Sequence, residues 1–131
     1  MVERKAEGGC QCGALRYEAK GEPLRVGLCW CETCRRNTGA VMPGFAVYPA
    51  DKVRIEGKAE GYRTSAGLER FFCPTCGSPV YSHNDAGETV LYHGSLDRPR
   101  DFPPSYELWA KDRPGWLPDL PGVRRFDTHR G

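Results

Sequence analysis

No stretch of this 131-residue chain is both long and apolar. A bilayer-spanning helix is therefore not expected. The charged start, MVERKAEGG, has no apolar run behind it, so no secretory leader is expected and the cytoplasm is the expected compartment. Repeats, low-complexity tracts and linker-like stretches are also lacking, and the expectation is one domain over residues 1–131. There is little excess of either charge. Nineteen Lys and Arg against 17 Asp and Glu leave +2, with acids and bases interspersed as in "LDRPRD" and "AKDRPG". That supplies no basic stripe for nucleic acid and no patch for a membrane surface. Apolar residues make up only 39%, so the core is modest and needs a staple, of which a metal site is one kind.

What is plentiful is Gly (16), Pro (11) and Cys (7). The first two favour a loop-rich, mostly β domain over a helix bundle. Leu15, Tyr17 and Ala19 alternate with polar residues, as do Val53 and Ile55, which is the signature of half-buried strands. Further short runs rich in aromatic and β-branched residues lie at 44–48, 68–72, 79–83, 89–94 and 106–110, most of them bounded by turn formers. Phe45, Tyr48 and Tyr62 read as core. One short helix is expected over 32–39, ended by Gly39. From Arg98 to Pro121 prolines recur too often for regular structure. This tail is expected to wrap the sheets and seal them with Phe102, Trp109, Trp116 and Leu117, and residues 111–131 to stay irregular.

The cysteines fall in three tight clusters: Cys10-Gln11-Cys12, then Cys29-Trp30-Cys31-Glu32-Thr33-Cys34, then Cys73-Pro74-Thr75-Cys76. In a reducing compartment such clusters point to metal or catalytic thiols rather than disulfides. Residues i and i+2 of a strand share a face, so Cys10 and Cys12, leading into the first strand, are expected to present both sulfurs to one ion. "CPTCG" resembles a zinc knuckle, with Gly77 allowing the turn. Two sulfurs from each outer cluster complete a closed tetrahedral site of structural type. Cys29, Cys31 and Cys34 then form a second set. Three protein ligands and one free position is the format of a catalytic zinc. Alternatives stand beside this partition. The outer four can be redox or disulfide pairs, and the central three can hold a second structural zinc with His83, His93 or His129 as fourth ligand.

The order GGCQCGALRYEA, CWCETCRRNTGA, FFCPTCGSPVY and HGSLD resembles the glutathione-dependent formaldehyde-activating enzyme family, in whose superfamily centromere protein V is a relative. The resemblance covers about residues 8–110. It implies a β-tent fold of small antiparallel sheets with zinc-bearing loops and little helix. It also implies two zinc ions, a structural one on Cys10, Cys12, Cys73 and Cys76 and a catalytic one on Cys29, Cys31 and Cys34. The implied activity is condensation of formaldehyde with glutathione, or the reverse carbon–sulfur cleavage. Many members carry His between the first two central cysteines, where this chain has Trp30. An indole is donor-only, so the expectation is that any proton relay there is lost or that Trp30 narrows the pocket.

Zinc on three thiolates carries a net charge of −1 and suits a soft fourth ligand such as a substrate thiolate. Glutathione also carries two carboxylates, for which Arg35 and Arg36 are the candidate partners, the competing reading being a solvated helix face or a pair with Glu32. Ser95 and Asp97 read as a turn or as pocket lining. The expected function is a zinc-dependent carbon–sulfur lyase-like enzyme acting on glutathione or another thiol adduct. The competing classes are a non-catalytic zinc scaffold for a protein partner, and zinc storage or redox sensing through the three-cysteine cluster.

Overall fold

Eleven short strands and one α-helix carry the chain in a computed structural model that describes residues 4–130; residues 1–3 and 131 of the expected domain lie outside the described residues. In chain order they are β1 (Lys5–Gly9), β2 (Arg16–Lys20), β3 (Arg25–Cys29), α1 (Glu32–Thr38), β4 (Gly44–Pro49), β5 (Val53–Glu56), β6 (Glu60–Arg63), β7 (Glu69–Phe72), β8 (Pro79–His83), β9 (Glu88–Tyr92), β10 (Tyr106–Leu108) and β11 (Arg124–Arg125). They form a three-stranded sheet, β1-β2-β5, and an eight-stranded sheet ordered β11-β10-β3-β4-β9-β8-β7-β6. Pairing is antiparallel throughout except at one edge, where β10 runs parallel to both β3 and β11. The fold is mostly β, as the sequence implies.

Strand alternation divides the larger sheet into two faces. Val26 of β3, Ala46 and Tyr48 of β4, and Leu91 of β9 point one way. They meet Ala6, Leu15, Tyr17 and Ala19 of the small sheet in one buried core, which Phe102 closes. The residues between them, Arg25 and Cys29 of β3, Phe45 and Val47 of β4, and Val90 and Tyr92 of β9, point the other way and line a cavity. A bulge opposite Phe71 and Phe72 of β7 lets both Val80 and Tyr81 of β8 reach the core and returns Ser82 to the cavity face.

The small sheet docks through Gly8. A Cβ there would overlap the Ser95 carbonyl oxygen and the Tyr17 ring, so only glycine lets β1 approach Leu96, to which Gly8 is bridged. The Tyr17 and Ser95 hydroxyls are 2.8 Å apart, and Ser95 Oγ donates to Tyr92 O at 2.7 Å. Arg16 Nη1 donates to Asp97 Oδ1 at 3.0 Å. Ser95 therefore ends a one-turn 3-10 helix, and both "GSLD" side chains fasten the two sheets together.

Several expectations change here. Tyr62 is 67% exposed, not core, because β6 is the outermost strand and all four of its residues face solvent. Trp116 is 74% exposed and seals nothing, since it sits in a surface turn. Phe45, expected in the core, is half-buried on the cavity side, where its face of β4 points, and Trp109 of the tail lies half-buried on that same side. The tail is not wholly irregular: β11 pairs with β10, and residues 126–128 run back along 107–110 through Phe126 N to Glu107 O, Ala110 N to Phe126 O and Trp109 N to Thr128 O.

Across β4, Arg25 grips Glu88 with two bonds of 3.0 and 2.7 Å, and Asn84 Nδ2 adds a third at 2.9 Å. The guanidinium holds the Glu88 carboxyl down at about 2, against an ordinary 4.5. A carboxylate depressed in the folded state stabilises above its unfolded value and loses that contribution as pH falls. Stability is thus expected to decline between pH 4.5 and about 2. Glu88→Gln is expected to cost about 1–3 kcal/mol at neutral pH and to flatten that acid limb. Chemical denaturation from pH 7 down to 2 checks both; an acid limb unchanged in the variant overturns the assignment.

Candidate metal centres and the cavity beside them

The seven cysteines are unbridged and gather into two groups: Cys10, Cys12, Cys73 and Cys76, and Cys29, Cys31 and Cys34. Within each group the sulfurs lie within 4.8 Å of one another. Individual separations are 3.6 Å for Cys10–Cys12, 3.8 Å for Cys12–Cys73 and 3.3 Å for Cys29–Cys31. A tetrahedral ion with sulfurs at about 2.3 Å has sulfur–sulfur edges of roughly 3.8 Å. The donor type and the spacing therefore both fit a thiophilic divalent metal and exclude a disulfide in either group, whose sulfurs would be about 2 Å apart.

The first group joins two turns. Cys10 to Cys12 follow β1 rather than opening the first strand, and form the reversal into β2, with Cys10 N donating to Leu15 O. Leu15 N points at Cys10 Sγ, 3.3 Å away. Opposite, Cys73-Pro74-Thr75-Cys76-Gly77 links β7 to β8. Gly77 takes a φ of 77°, and its N–H returns to Cys73 O at 2.8 Å, the left-handed step that glycine was expected to supply. Gln11 N donates to Ser78 Oγ, and the Ser78 hydroxyl beside Cys76 draws that thiol down to about 5. Cys10 and Cys73 are buried, and no histidine belongs to the group.

The second group is local to one junction. Cys29 is the last residue of β3, and Cys31 caps α1, its sulfur accepting from Cys34 N at 3.4 Å. Gly39 ends the helix, and its N–H bonds to Arg35 O. The neighbouring sulfurs push Cys29 above and Cys31 below the ordinary thiol range. They compete for protons that a metal would replace. None of the three candidate histidines joins the group. His83 Nδ1 faces Thr89 Oγ1, His93 Nε2 faces Phe102 O, and His129 stacks edge-on against Trp109.

The three sulfurs lie at one wall of a cavity of about 670 Å³, whose other walls include Phe45, Val47, Leu68, Val90, Leu108 and Trp109. Trp109 has φ 55°, the one non-glycine residue with positive φ among those described, a conformation a bulky side chain rarely holds. Among the polar side chains that line this largely apolar space, four stand out, Arg70, Tyr92, Tyr106 and Asn37. Arg70 is 8% exposed, and Tyr92 and Tyr106 are 9% and 6% exposed. Asn37 Nδ2 and both tyrosine hydroxyls are buried without a hydrogen-bond partner among the described residues. The sequence reading missed all four, because strand alternation on β7 and β9 was the only signal that could place Arg70 and Tyr92 beside the cysteines.

Arg35 and Arg36 do not line the cavity. Both are exposed, and Arg36 Nε pairs with Glu32 Oε1 at 3.1 Å along the helix. Trp30 does not narrow the pocket. Flanked by two cavity-facing cysteines, it points to the opposite side, is 2% exposed, and donates from Nε1 to Glu107 Oε1 at 3.2 Å. Glu107 is fully buried and also pairs with Arg113 and Arg125; Arg113 lies 5.3 Å over the Trp30 ring.

Fold and sulfur geometry together define a mostly β domain with two cysteine groups of metal-binding type. A model of the glutathione-dependent formaldehyde-activating enzyme family matches residues 5–112, and the chain belongs to that family. It is 26% identical to a putative glutathione-dependent formaldehyde-activating enzyme of Halomonas elongata over 125 residues, 85% of this chain and 78% of that one. It is 32% identical to an uncharacterized lyase of Schizosaccharomyces pombe over 75 residues, 57% of this chain; that match spans only about half of the relative, 55% of its length. A crystal structure of a Rhodobacter sphaeroides protein superposes with a TM-score of 0.59 at 27% identity, covering 72% of this chain and 93% of that one. Among the described residues no helix is long and apolar enough to cross a membrane.

Two outcomes are expected. Cys73→Ser should unfold or severely destabilise the protein, because metal bound between two distant turns is folding free energy, whereas Cys34→Ser should stay folded and lose one metal equivalent. Thermal melts with elemental analysis decide this, and equal collapse of both variants would mean two structural sites. Trp30→Phe should cost about 1–2 kcal/mol by stranding part of the Glu107 carboxylate while leaving metal content unchanged. Loss of metal in that variant would place Trp30 in the site after all.

Proposed function

We propose that this chain is a zinc-dependent carbon–sulfur lyase-like enzyme acting on glutathione or a similar thiol adduct. The reading rests on one observation above the rest: three converging sulfurs, with no fourth protein ligand among the described residues, face an apolar cavity large enough for a small thiol. The family and its lyase-named relative support the reaction class. The cytoplasm is the compartment this reading fits, with a small molecule and not a nucleic acid as partner.

A zinc ion on three thiolates, when bound, favours a fourth anionic sulfur and so the ionised form of a thiol at neutral pH. Everything else falls to the protein. Phe45, Val47, Leu68 and Val90 give the reacting atoms an apolar wall. The unpartnered hydroxyl of Tyr106 is a donor for the oxygen of a hydroxymethyl group. Burial raises it above the ordinary tyrosine value, so it stays protonated at neutral pH. In the forward direction a bond forms between the thiol sulfur and the aldehyde carbon, and the thiol proton ends on the new hydroxyl. The reverse breaks that bond and returns the proton to sulfur. Formaldehyde and thiols combine unaided, so positioning and thiol ionisation suffice. The Cys10, Cys12, Cys73 and Cys76 site takes no part beyond holding the turns.

The test has two arms. Elemental analysis of zinc-replete protein should give about two ions per chain. Calorimetry should show glutathione binding and S-methylglutathione binding much more weakly, since a thioether cannot become an anionic ligand. Exchange NMR between glutathione, formaldehyde and their adduct should be faster with the enzyme present. Equal affinity for the two ligands, with exchange unaltered, would point instead to a non-catalytic scaffold.

A further inference from the structure

We infer that Arg70 is a carboxylate-binding residue, and that it takes a carboxylate of the thiol substrate, or of its aldehyde adduct, within the apolar cavity that the three cysteines also line. This rests on the proposed function of the same site and specifies its substrate class.

Arg70 is largely withdrawn from solvent while its guanidinium keeps access to the cavity, and a cation so placed is stabilised when a carboxylate comes against it. Among the described residues Arg70 makes no ion pair. The other buried cations nearby are already committed. Arg25 is held by Glu88, and Arg113 by Glu107. Arg70 projects from β7 into the same cavity as the cysteines and Tyr92, opposite Ser82 of β8, which lines it too. Around it lie two more orphaned donors, Tyr92 Oη and Asn37 Nδ2. A cation with two neutral donors, walled by aliphatic and aromatic side chains, is what a desolvated carboxylate requires: a charge-assisted fork plus hydrogen bonds to its remaining lone pairs. The exposed Arg35 and Arg36 offer none of that desolvation.

The competing role for Arg70 is to balance the negative charge of a metal held by three thiolates. The experiment separates the two. Cobalt-loaded protein is titrated with β-mercaptopropionate and with its neutral amide, and the sulfur-to-cobalt charge-transfer band reports thiolate coordination without turnover. The carboxylate is expected to bind more tightly than the amide by on the order of tenfold to a hundredfold. Arg70→Gln is expected to abolish that preference while leaving the affinity for the amide unchanged. Should Arg70→Gln fail to fold, Arg70→Lys keeps the charge but loses the fork, and the preference is expected to shrink without vanishing; an unchanged preference counts against the proposal. Equal binding of the two thiols by the wild type overturns this inference and leaves the lyase reading standing. Equal weakening of both thiols, or loss of cobalt, in Arg70→Gln assigns Arg70 to the metal and likewise overturns it. No band shift with either thiol overturns the site reading and this inference together.

Discussion

The constraint on which the rest depends is the two-residue period of β3, β4 and β9. One set of positions must be apolar and close against the small sheet; the alternate set is then free to carry chemistry. Val26, Ala46, Tyr48 and Leu91 satisfy the first demand, and Arg25, Cys29, Phe45 and Tyr92 use the second. A slip of one residue in any of these strands would exchange the faces, burying a charge and a thiol in the core. The Arg25–Glu88 clamp, which spans β3 and β9 across β4, opposes that slip.

The same period explains Trp30. Because Cys29 and Cys31 both face the cavity, the residue between them must face away from it. That side is closed by the tail, where a buried carboxylate, Glu107, collects the indole N–H and two guanidinium groups. One carboxylate shared by Arg113 and Arg125 from the tail and Trp30 from the sheet is a registration device. It fixes how residues 113–126 lie across β10, and thereby where Trp109 and His129 stand at the cavity wall. Position 30 therefore bears on the packing of the tail rather than on the cavity.

Much of this was legible beforehand. The mostly β class, a helix expected over 32–39 and found over 32–38 with its Gly39 terminator, and strands expected at 79–83 and 44–48 and found at 79–83 and 44–49 follow from local pattern; the grouping of the cysteines into four and three was the favoured of several sequence readings, and the fold brings the sulfurs together that way. What escaped the sequence depended on contacts between distant segments. β1 reads KAEGG, which has no β-branched or aromatic residue, and is a strand because Gly8 fits under Ser95. β11 is two arginines and is a strand only because β10 offers a free edge. Arg70 looked like one more charge in "LERFF". The side its guanidinium takes is decided by the pairing of β7 with β8 and by the bulge between them. Arg35 and Arg36 drew attention because they adjoin a cysteine, yet proximity along a helix does not fix a facing direction.

The two sulfur groups differ in how much chain each one closes. Cys12 and Cys73 meet across 61 residues, from turns that belong to different sheets. Bringing them together has a loop-closure cost that only the completed fold repays, so an ion there and the fold stand or fall together. Cys29, Cys31 and Cys34 lie within one strand–helix junction, where the end of β3 and the first turn of α1 already bring the sulfurs near one another. An ion there adds little to the topology, and the junction can present it to a ligand without endangering the fold. Under the proposed function, an ion that exchanges a ligand suits such a local set, and one that holds the fold suits the distant one. The distribution of seven cysteines over this chain is consistent with that division.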